Sequence, residues 1–211
     1  MNLSYPQHHL VKTGHISTCQ ICNSSKLHTI LDLGHQPLCD TLLTKEMLDQ
    51  SEKNYPLRMV WCEECTDVQI DYCVDGSEVY HPEYPYKSGV TKELVEYQVK
   101  IAESLIAKYN LKPNDLVVDI GSNDGTLLSG FKGTGIRTAG VEPTNIAKIA
   151  NANGIETVQA FFDIKTSDVV KSKHGEASLI ITTNTFAHMQ GLGEFIMGAY
   201  NLLKEDGVFV S

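Results

Sequence analysis

Hydrophobic and polar positions fall into two textures along this chain, with the change near residue 113. Between residue 16 and about residue 75, apolar residues come in short runs set off by turn formers: HTILDL at 28–33, LRMVWC at 57–62 and VQIDYC at 68–73. Runs of that length and composition predict β-strands. A segment rich in tyrosine and proline follows, VYHPEYPYKSG. TKELVEYQVKIAESLIAKYNL at 91–111 then places Leu94, Val95, Ile101, Leu105 and Ile106 at helical spacing, which predicts an amphipathic helix.

From Asp115 onward strands and helices alternate. LVVDI at 116–120 is a continuous apolar run, as expected of a parallel strand buried on both faces. A glycine-rich turn leads into a short helix (TLLSGF) and a second strand, TAGVE at 138–142. NIAKIANANG predicts a crossover helix stopped by Gly154. ETVQ, SLIITT and GVFVS supply three further strands. Repeated βα units imply right-handed crossovers and a doubly wound sheet. The expected organisation is a flexible tail (1–15), a β-rich module (16–80), a connecting segment with its helix (81–112) and a Rossmann-like α/β domain (113–211). The last residue, Ser211, falls inside an expected strand, which suggests a truncated C-terminus.

Composition narrows the choice of partner. The 211 residues carry a net charge of -9, whereas a nucleic-acid surface needs concentrated lysine and arginine. No nucleic-acid partner is therefore expected. The start of the chain has no apolar signal core, and its apolar runs are strand-sized, far short of a membrane span. A cytoplasmic protein without a membrane partner is expected; the oligomeric state is not legible. In a reducing compartment the six cysteines are better ligands or core residues than disulfides.

Four of those cysteines form two CxxC pairs, Cys19–Cys22 and Cys62–Cys65, separated by 39 residues. Zinc takes four soft ligands at tetrahedral corners, and each CxxC turn supplies two. The competing reading is a redox pair, but the βαβ context of such pairs is missing at both positions. A structural Zn2+ is expected at Cys19, Cys22, Cys62 and Cys65. Cys39 and Cys73 are expected to be small buried hydrophobes.

The run VVDIGSNDGTLL carries the strongest functional signal. Gly121 and Gly125 permit close approach of a ligand to a loop that opens a helix. Glu142 ends the next strand 21 residues after Gly121, where a carboxylate can accept ribose hydroxyls. NAD, FAD and S-adenosylmethionine all suit such a site. A dinucleotide loop needs a middle glycine where Asn123 stands, and a third glycine that is absent. Asp119 and Asp124 suit a ligand bearing an ammonium and a sulfonium, which favours S-adenosyl-L-methionine. Phe161, in the pair Phe161-Phe162, is placed to stack on adenine, with core packing as the alternative for one of the two rings. Asn184 and His188, in TTNTFAHM, fall at a strand's C-terminal end, where open α/β sheets bind ligands.

Taken together, CQIC, LDLGHQPLCD, YPLRMVWCEEC, YPYKSG, VVDIGSNDGTLL, GVEP, FF and NTFAHM resemble the NDP-sugar C-methyltransferases of deoxysugar biosynthesis, in the same order from about Cys19 to Ser211. The resemblance implies a Rossmann-like S-adenosylmethionine-dependent methyltransferase domain preceded by a small zinc-binding β-rich domain. It also implies methyl transfer to a carbon of a nucleotide-linked 4-keto sugar, with Tyr84 and Tyr86 lining the sugar site and His188 beside it as a polar or acid–base group. For the two tyrosines, interdomain packing is the competing role. Members of that family continue into a second half with the main sugar-binding domain, which this chain lacks, so the chain alone is expected to bind donor and zinc without necessarily methylating. Two other functions stay open: a methyltransferase of another small-molecule or protein substrate, and an inactive interaction module.

Overall fold

The structure is a computed structural model that describes residues 13–211. It divides into two compact units. One reaches His81 and includes Gln190–Gly193; the other comprises Pro82–Met189 and Glu194–Ser211. Up to residue 12 the expected tail lies outside the described residues; its last two residues, Gly14 and His15, form a short strand.

The first unit contains β1 (Gly14–His15), β2 (Leu27–Pro37), β3 (Asn54–Cys62), β4 (Val68–Ile70), β5 (Tyr72–Cys73) and the single-turn helix α1 (Gly76–Val79). β2, β3 and β4 make an antiparallel sheet, and β1 pairs with β5. Asp71, 3% exposed, anchors the junction of β4 and β5. Its Oδ2 accepts from Arg58 Nε at 2.6 Å and from Arg58 Nη2. Among the described residues, the buried apolar side chains of this unit are Cys19, Val60, Cys62 and Cys73. So small a core cannot offset the chain entropy of this many residues, and a further source of folding energy is required.

The second unit contains α2 (Lys92–Tyr109), β6 (Leu116–Ile120), α3 (Thr126–Ser129), β7 (Arg137–Val141), α4 (Ala147–Ala152), β8 (Thr157–Val158), α5 (Ile164–His174), β9 (Ala177–Ile181), α6 (Leu192–Leu202, from Glu194 onward) and β10 (Leu203–Val210). The Thr91 hydroxyl accepts from Leu94 N–H at the start of α2, and Asn110, at φ 51°, ends it in the left-handed conformation. The five strands are all parallel, in the order β10-β9-β6-β7-β8. Strand order therefore reverses between β6 and β9, and the crevice beyond that reversal is where open α/β sheets take ligands.

Both faces of the sheet are covered. Val117, Leu179 and Ile181 pack with Ala102 and Leu105 of α2 and Leu127 and Leu128 of α3. On the opposite face Leu116, Val118, Ile120 and Ile180 pack with Val170 of α5 and Phe195, Ala199 and Leu202 of α6. Every residue of β6 and β9 is buried, as a continuous apolar run requires. No helix among the described residues is long and apolar enough to cross a membrane.

Candidate functional site

Cys19 and Cys22 lie in the connection from β1 to β2; Cys62 closes β3, and Cys65 falls in the turn before β4. The two CxxC turns are built alike. Asn23 N–H donates to Cys19 C=O and Cys19 N–H to Ser24 C=O, both at 2.9 Å; Thr66 N–H donates to Cys62 C=O at 2.9 Å and Cys62 N–H to Asp67 C=O at 2.8 Å. The residue after each second cysteine, Asn23 or Thr66, has φ 63°, a conformation that costs a β-branched threonine more than it costs asparagine.

These turns bring all four Sγ atoms within 4.8 Å of one another. The pairs Cys19–Cys65 and Cys22–Cys62, each drawn from both turns, are 3.5 Å apart. A zinc–thiolate tetrahedron with bonds of about 2.3 Å has sulfur–sulfur edges of about 3.8 Å, so the donor set fits Zn2+. Burial pushes the Cys19 thiol up to about 12; a bound cation reverses that penalty by stabilising the thiolate. Cys73 is buried, as expected. Cys39 departs from expectation: it sits in the turn after β2 and is exposed. Neither belongs to the cluster.

In the second unit, β6 and β7 deliver Asp119, Gly121, Asn123, Gly125 and Glu142 to one edge of the sheet. Gly121, Asn123 and Gly125 have φ of 76°, 52° and 80°. A Cβ on Gly121 would collide with the Thr185 side chain, and one on Gly125 would lie 3.0 Å from Ile155. The loop after β6 thus touches the loop after β9 at the point where strand order reverses. Gly140 plays a similar part in β7, since a Cβ there would meet Ser122 Oγ at 2.5 Å and Thr157 Oγ1 at 2.6 Å.

Glu142, 6% exposed, is held from three sides. Its Oε2 accepts from Asn123 N–H at 3.1 Å; its Oε1 accepts from Thr144 N–H at 2.9 Å and from the Thr144 hydroxyl at 2.7 Å. A carboxylate has about four acceptor positions, so room remains for one ligand hydroxyl, and a second requires the Thr144 hydroxyl to turn. Asp119 is 2% exposed and its Oδ1 has no hydrogen-bond partner. Burial first, and the charge of Glu142 second, push its carboxyl up to about 8. Ser122 Oγ is likewise buried and unpartnered. Buried polar atoms without partners are costly in a finished fold, and here two of them border a glycine loop. That arrangement suits a ligand with hydroxyl and ammonium groups.

The other expected residues are placed as follows. Phe162 is in the core, whereas Phe161, three residues beyond the end of β8, is 45% exposed. Asn184 is exposed, at φ 51°, in the loop after β9. His188 is exposed at the end of a 3₁₀ turn, Phe186–His188, and its N–H donates to Thr185 C=O at 2.9 Å. No hydrogen bond joins Phe161, Asn184 or His188 to residues 119–125. Tyr84 is half-buried and Tyr86 is 51% exposed, both in the segment preceding α2.

Sequence reasoning missed what the polar side chains of the loop do. Asn123 Oδ1 accepts from Ser88 N–H at 2.8 Å, and Asn123 Nδ2 donates to Tyr86 C=O at 3.1 Å. Asp124 Oδ2 accepts from Gly89 N–H at 2.7 Å, while its Oδ1 accepts from Thr126 N–H and hydroxyl at the start of α3. Thr144 and Thr185 were also missed. Only the position of Thr144, two residues after an acid at a strand end, hints at its Asx/ST-type hydrogen bonding.

A five-stranded parallel sheet in this order, with a glycine loop after its central strand and an acid after the next, is the S-adenosylmethionine-dependent methyltransferase fold. Residues 94–211 match a family model described as a methyltransferase domain, and residues 19–80 match a family model for a zinc binding domain. The chain belongs to the methyltransferase-domain family. A curated relative, C-methyltransferase NovU of Streptomyces niveus, is 30% identical over 195 residues, which are 92% of this chain and 46% of that protein. The chain thus spans about half the length of the curated relative it matches. Among solved structures, a SAM-dependent methyltransferase from Geobacter sulfurreducens in complex with S-adenosyl-L-homocysteine is 18% identical, with a TM-score of 0.39 over 61% of this chain and 51% of the other. Coclaurine N-methyltransferase bound to N-methylheliamine and SAH is 16% identical, with a TM-score of 0.45 over 59% and 38% respectively.

Proposed function

We propose that this chain is the donor-binding part of an S-adenosylmethionine-dependent C-methyltransferase whose acceptor is a nucleotide-linked 4-keto sugar. The observation that carries this reading is the extent of the similarity to a C-methyltransferase: it covers 92% of the chain and so runs through both units. A generic methyl-donor fold would account for the second unit alone.

In the proposed complex Glu142 accepts a ribose hydroxyl, Asp119 faces the donor's ammonium group, and the exposed ring of Phe161 lies against the adenine. Asn184 borders the methyl-donor end. When bound, the donor supplies an electrophilic methyl group on a sulfonium. The ketone of the acceptor acidifies the neighbouring C3–H bond; a base takes that proton, and the resulting carbanion forms the new C–C bond as the C–S bond breaks. His188 is the acid–base candidate, and Tyr84 and Tyr86 line the acceptor side. The protein's work is proton abstraction, oxyanion stabilisation and alignment.

Incubating the full-length protein with nucleotide 4-keto sugars and methyl-labelled donor tests the reading. Label retained on a sugar carbon supports it. Transfer to other acceptors with none to the sugar overturns the substrate class. Calorimetry that finds no donor binding overturns the methyltransferase itself.

A further inference from the structure

The tyrosine- and proline-rich segment Pro82–Gly89 is tied to the loops after both β6 and β7. At its first end, Asn145 N–H donates to Pro82 C=O at 3.0 Å, and Asn145 Nδ2 donates to Glu83 Oε1 at 2.8 Å. Asn145 lies three residues after Glu142, in the loop that follows β7. At its second end, the Asn123 side-chain amide accepts from Ser88 N–H and donates to Tyr86 C=O. That amide stands in for one peptide rung of a parallel strand, pairing with both hydrogen-bonding groups on one side of the segment. Asp124 adds the bond to Gly89 N–H.

Three features show that this attachment is built rather than incidental. Asn123 occupies a left-handed position, φ 52°, where glycine would be easier for the backbone and where asparagine is among the few side chains tolerated. Gly89 leaves no room for a side chain, since a Cβ would lie 2.8 Å from Asp124 Oδ2 and 3.0 Å from Thr126 Oγ1. Asn123 also donates its own N–H to Glu142, so one residue joins the segment to the acid of the neighbouring strand.

We propose that Asn123, Asp124 and Asn145 are positioning residues that hold Pro82–Gly89 as a strap across the outlets of β6 and β7, fixing Tyr84 and Tyr86 to the donor loop itself. This rests on the methyltransferase reading for its purpose: an acceptor bound by the strap is presented in register with the methyl group. Asn123 then serves the site through its side chain's hold on the strap and its backbone's hold on Glu142. The spacing that a methyl transfer demands is set within one unit, by four side-chain hydrogen bonds.

Hydrogen exchange tests the strap without any ligand, because the Ser88 and Gly89 amides are themselves the donors. In the unaltered chain both are expected to exchange at least about tenfold slower than an unprotected amide of the same sequence. Asn123→Gly suits the left-handed backbone and removes the Ser88 acceptor; Gly89→Ala wedges the neighbouring contact from the strap side, where the Gly89 N–H meets Asp124 Oδ2. Asn123→Gly should bring Ser88, and Gly89→Ala should bring residue 89, to within about threefold of the unprotected rate while amides of β6 and β9 stay protected. In the full-length protein, Gly89→Ala should lower kcat about tenfold or more and change the donor KM less than about threefold. Unprotected Ser88 and Gly89 in the unaltered chain, or protection that survives both substitutions, overturns the strap. Equal effects of Gly89→Ala on kcat and donor KM overturn its positioning role. Failure of the donor to bind leaves the exchange result standing and removes only the proposed function.

Discussion

Asp119 is the residue whose chemistry is furthest from its ordinary behaviour. Burial, and then the nearby Glu142 charge, raise its carboxyl to about 8, so at neutral pH it is protonated in the fold and ionised in the unfolded chain. The folded state therefore binds more protons between the ordinary value of 3.8 and about 8. Its stabilising effect is complete below that interval and is lost as pH rises through about 8. The carboxylates with lowered values, Asp115 and Glu156 among them, have finished titrating by about pH 5. Urea midpoints followed by helicity should fall from pH 5 to pH 9, and Asp119→Asn should flatten that slope; an unchanged slope would sink the assignment. An ammonium ligand favours the ionised form, so donor binding should release a proton below about pH 8 and tighten severalfold per unit towards that pH. Calorimetry in buffers of different ionisation heat reads the proton directly. Glu142→Ala removes a hydrogen-bonded carboxylate and leaves Asn123 N–H and Thr144 N–H without an acceptor. It should cost about 1–3 kcal/mol of stability and weaken donor affinity about tenfold or more, a loss that titration with S-adenosylhomocysteine measures.

Between the elements, the packing on the α5–α6 face carries the loops that bear candidate residues. Phe195 of α6 meets Phe162 at 5.3 Å, Phe186 at 5.2 Å and Phe209 at 6.0 Å between ring centroids. Phe162 follows Phe161, and Phe186 opens the turn that ends at His188. Phe195→Ala should therefore cost about 3–5 kcal/mol and raise exchange at 186–188; loss of stability with that turn unaffected would separate the cluster from the site. Elements whose interior is apolar were legible in the sequence. LVVDI matches β6 residue for residue, and the helical spacing at 91–111 matches α2, because burial on both faces or one face leaves a period to read. α5 left no such mark: its buried residues are Thr166, Ser167 and Val170, so its inward face is mostly hydroxyl-bearing. Its start could have been found, since Asp163 accepts from Thr166 N–H at 2.7 Å as an N-cap. α6 carries two glycines, and Gly198 is needed because a Cβ there would lie 3.0 Å from Asp163 C=O. The glycine loop and Glu142 were legible because their spacing is local to two strands. The attachments of Asn123 and Asp124 were not, since they reach back 35 residues to backbone groups that no side-chain pattern reveals.

At the scale of the whole molecule, the two units differ in what holds them together. The second has an apolar cluster on each face of its sheet, the ordinary source of folding energy for an α/β domain. The first buries Val60 and Cys73 besides the ligands Cys19 and Cys62 among its described residues, and its buried Asp71 pairs with an Arg58 whose side chain is 37% exposed. An ion pair partly open to water contributes little net stability. What remains is the four-sulfur cluster, and structural zinc supplies an apparent ~10–16 kcal/mol at neutral pH in small zinc-dependent folds. The chain has one tryptophan. Trp61 lies on β3 beside Cys62, with its ring 5.7 Å from that of His28 on β2, so its emission reports this unit alone. Metal analysis should find one zinc per chain. Chelation, or Cys22→Ser, should shift Trp61 emission to the red and abolish amide protection in β2 and β3, while helicity and protection in β6 and β9 persist. Readdition of zinc to the chelated protein should restore the emission, and Cys22→Ser should not recover. If Trp61 and the β2–β3 amides are unmoved once metal is gone, the apolar sheet residues outweigh the metal, and the cluster is a bystander to folding. If helicity falls in step with Trp61, the two units unfold as one.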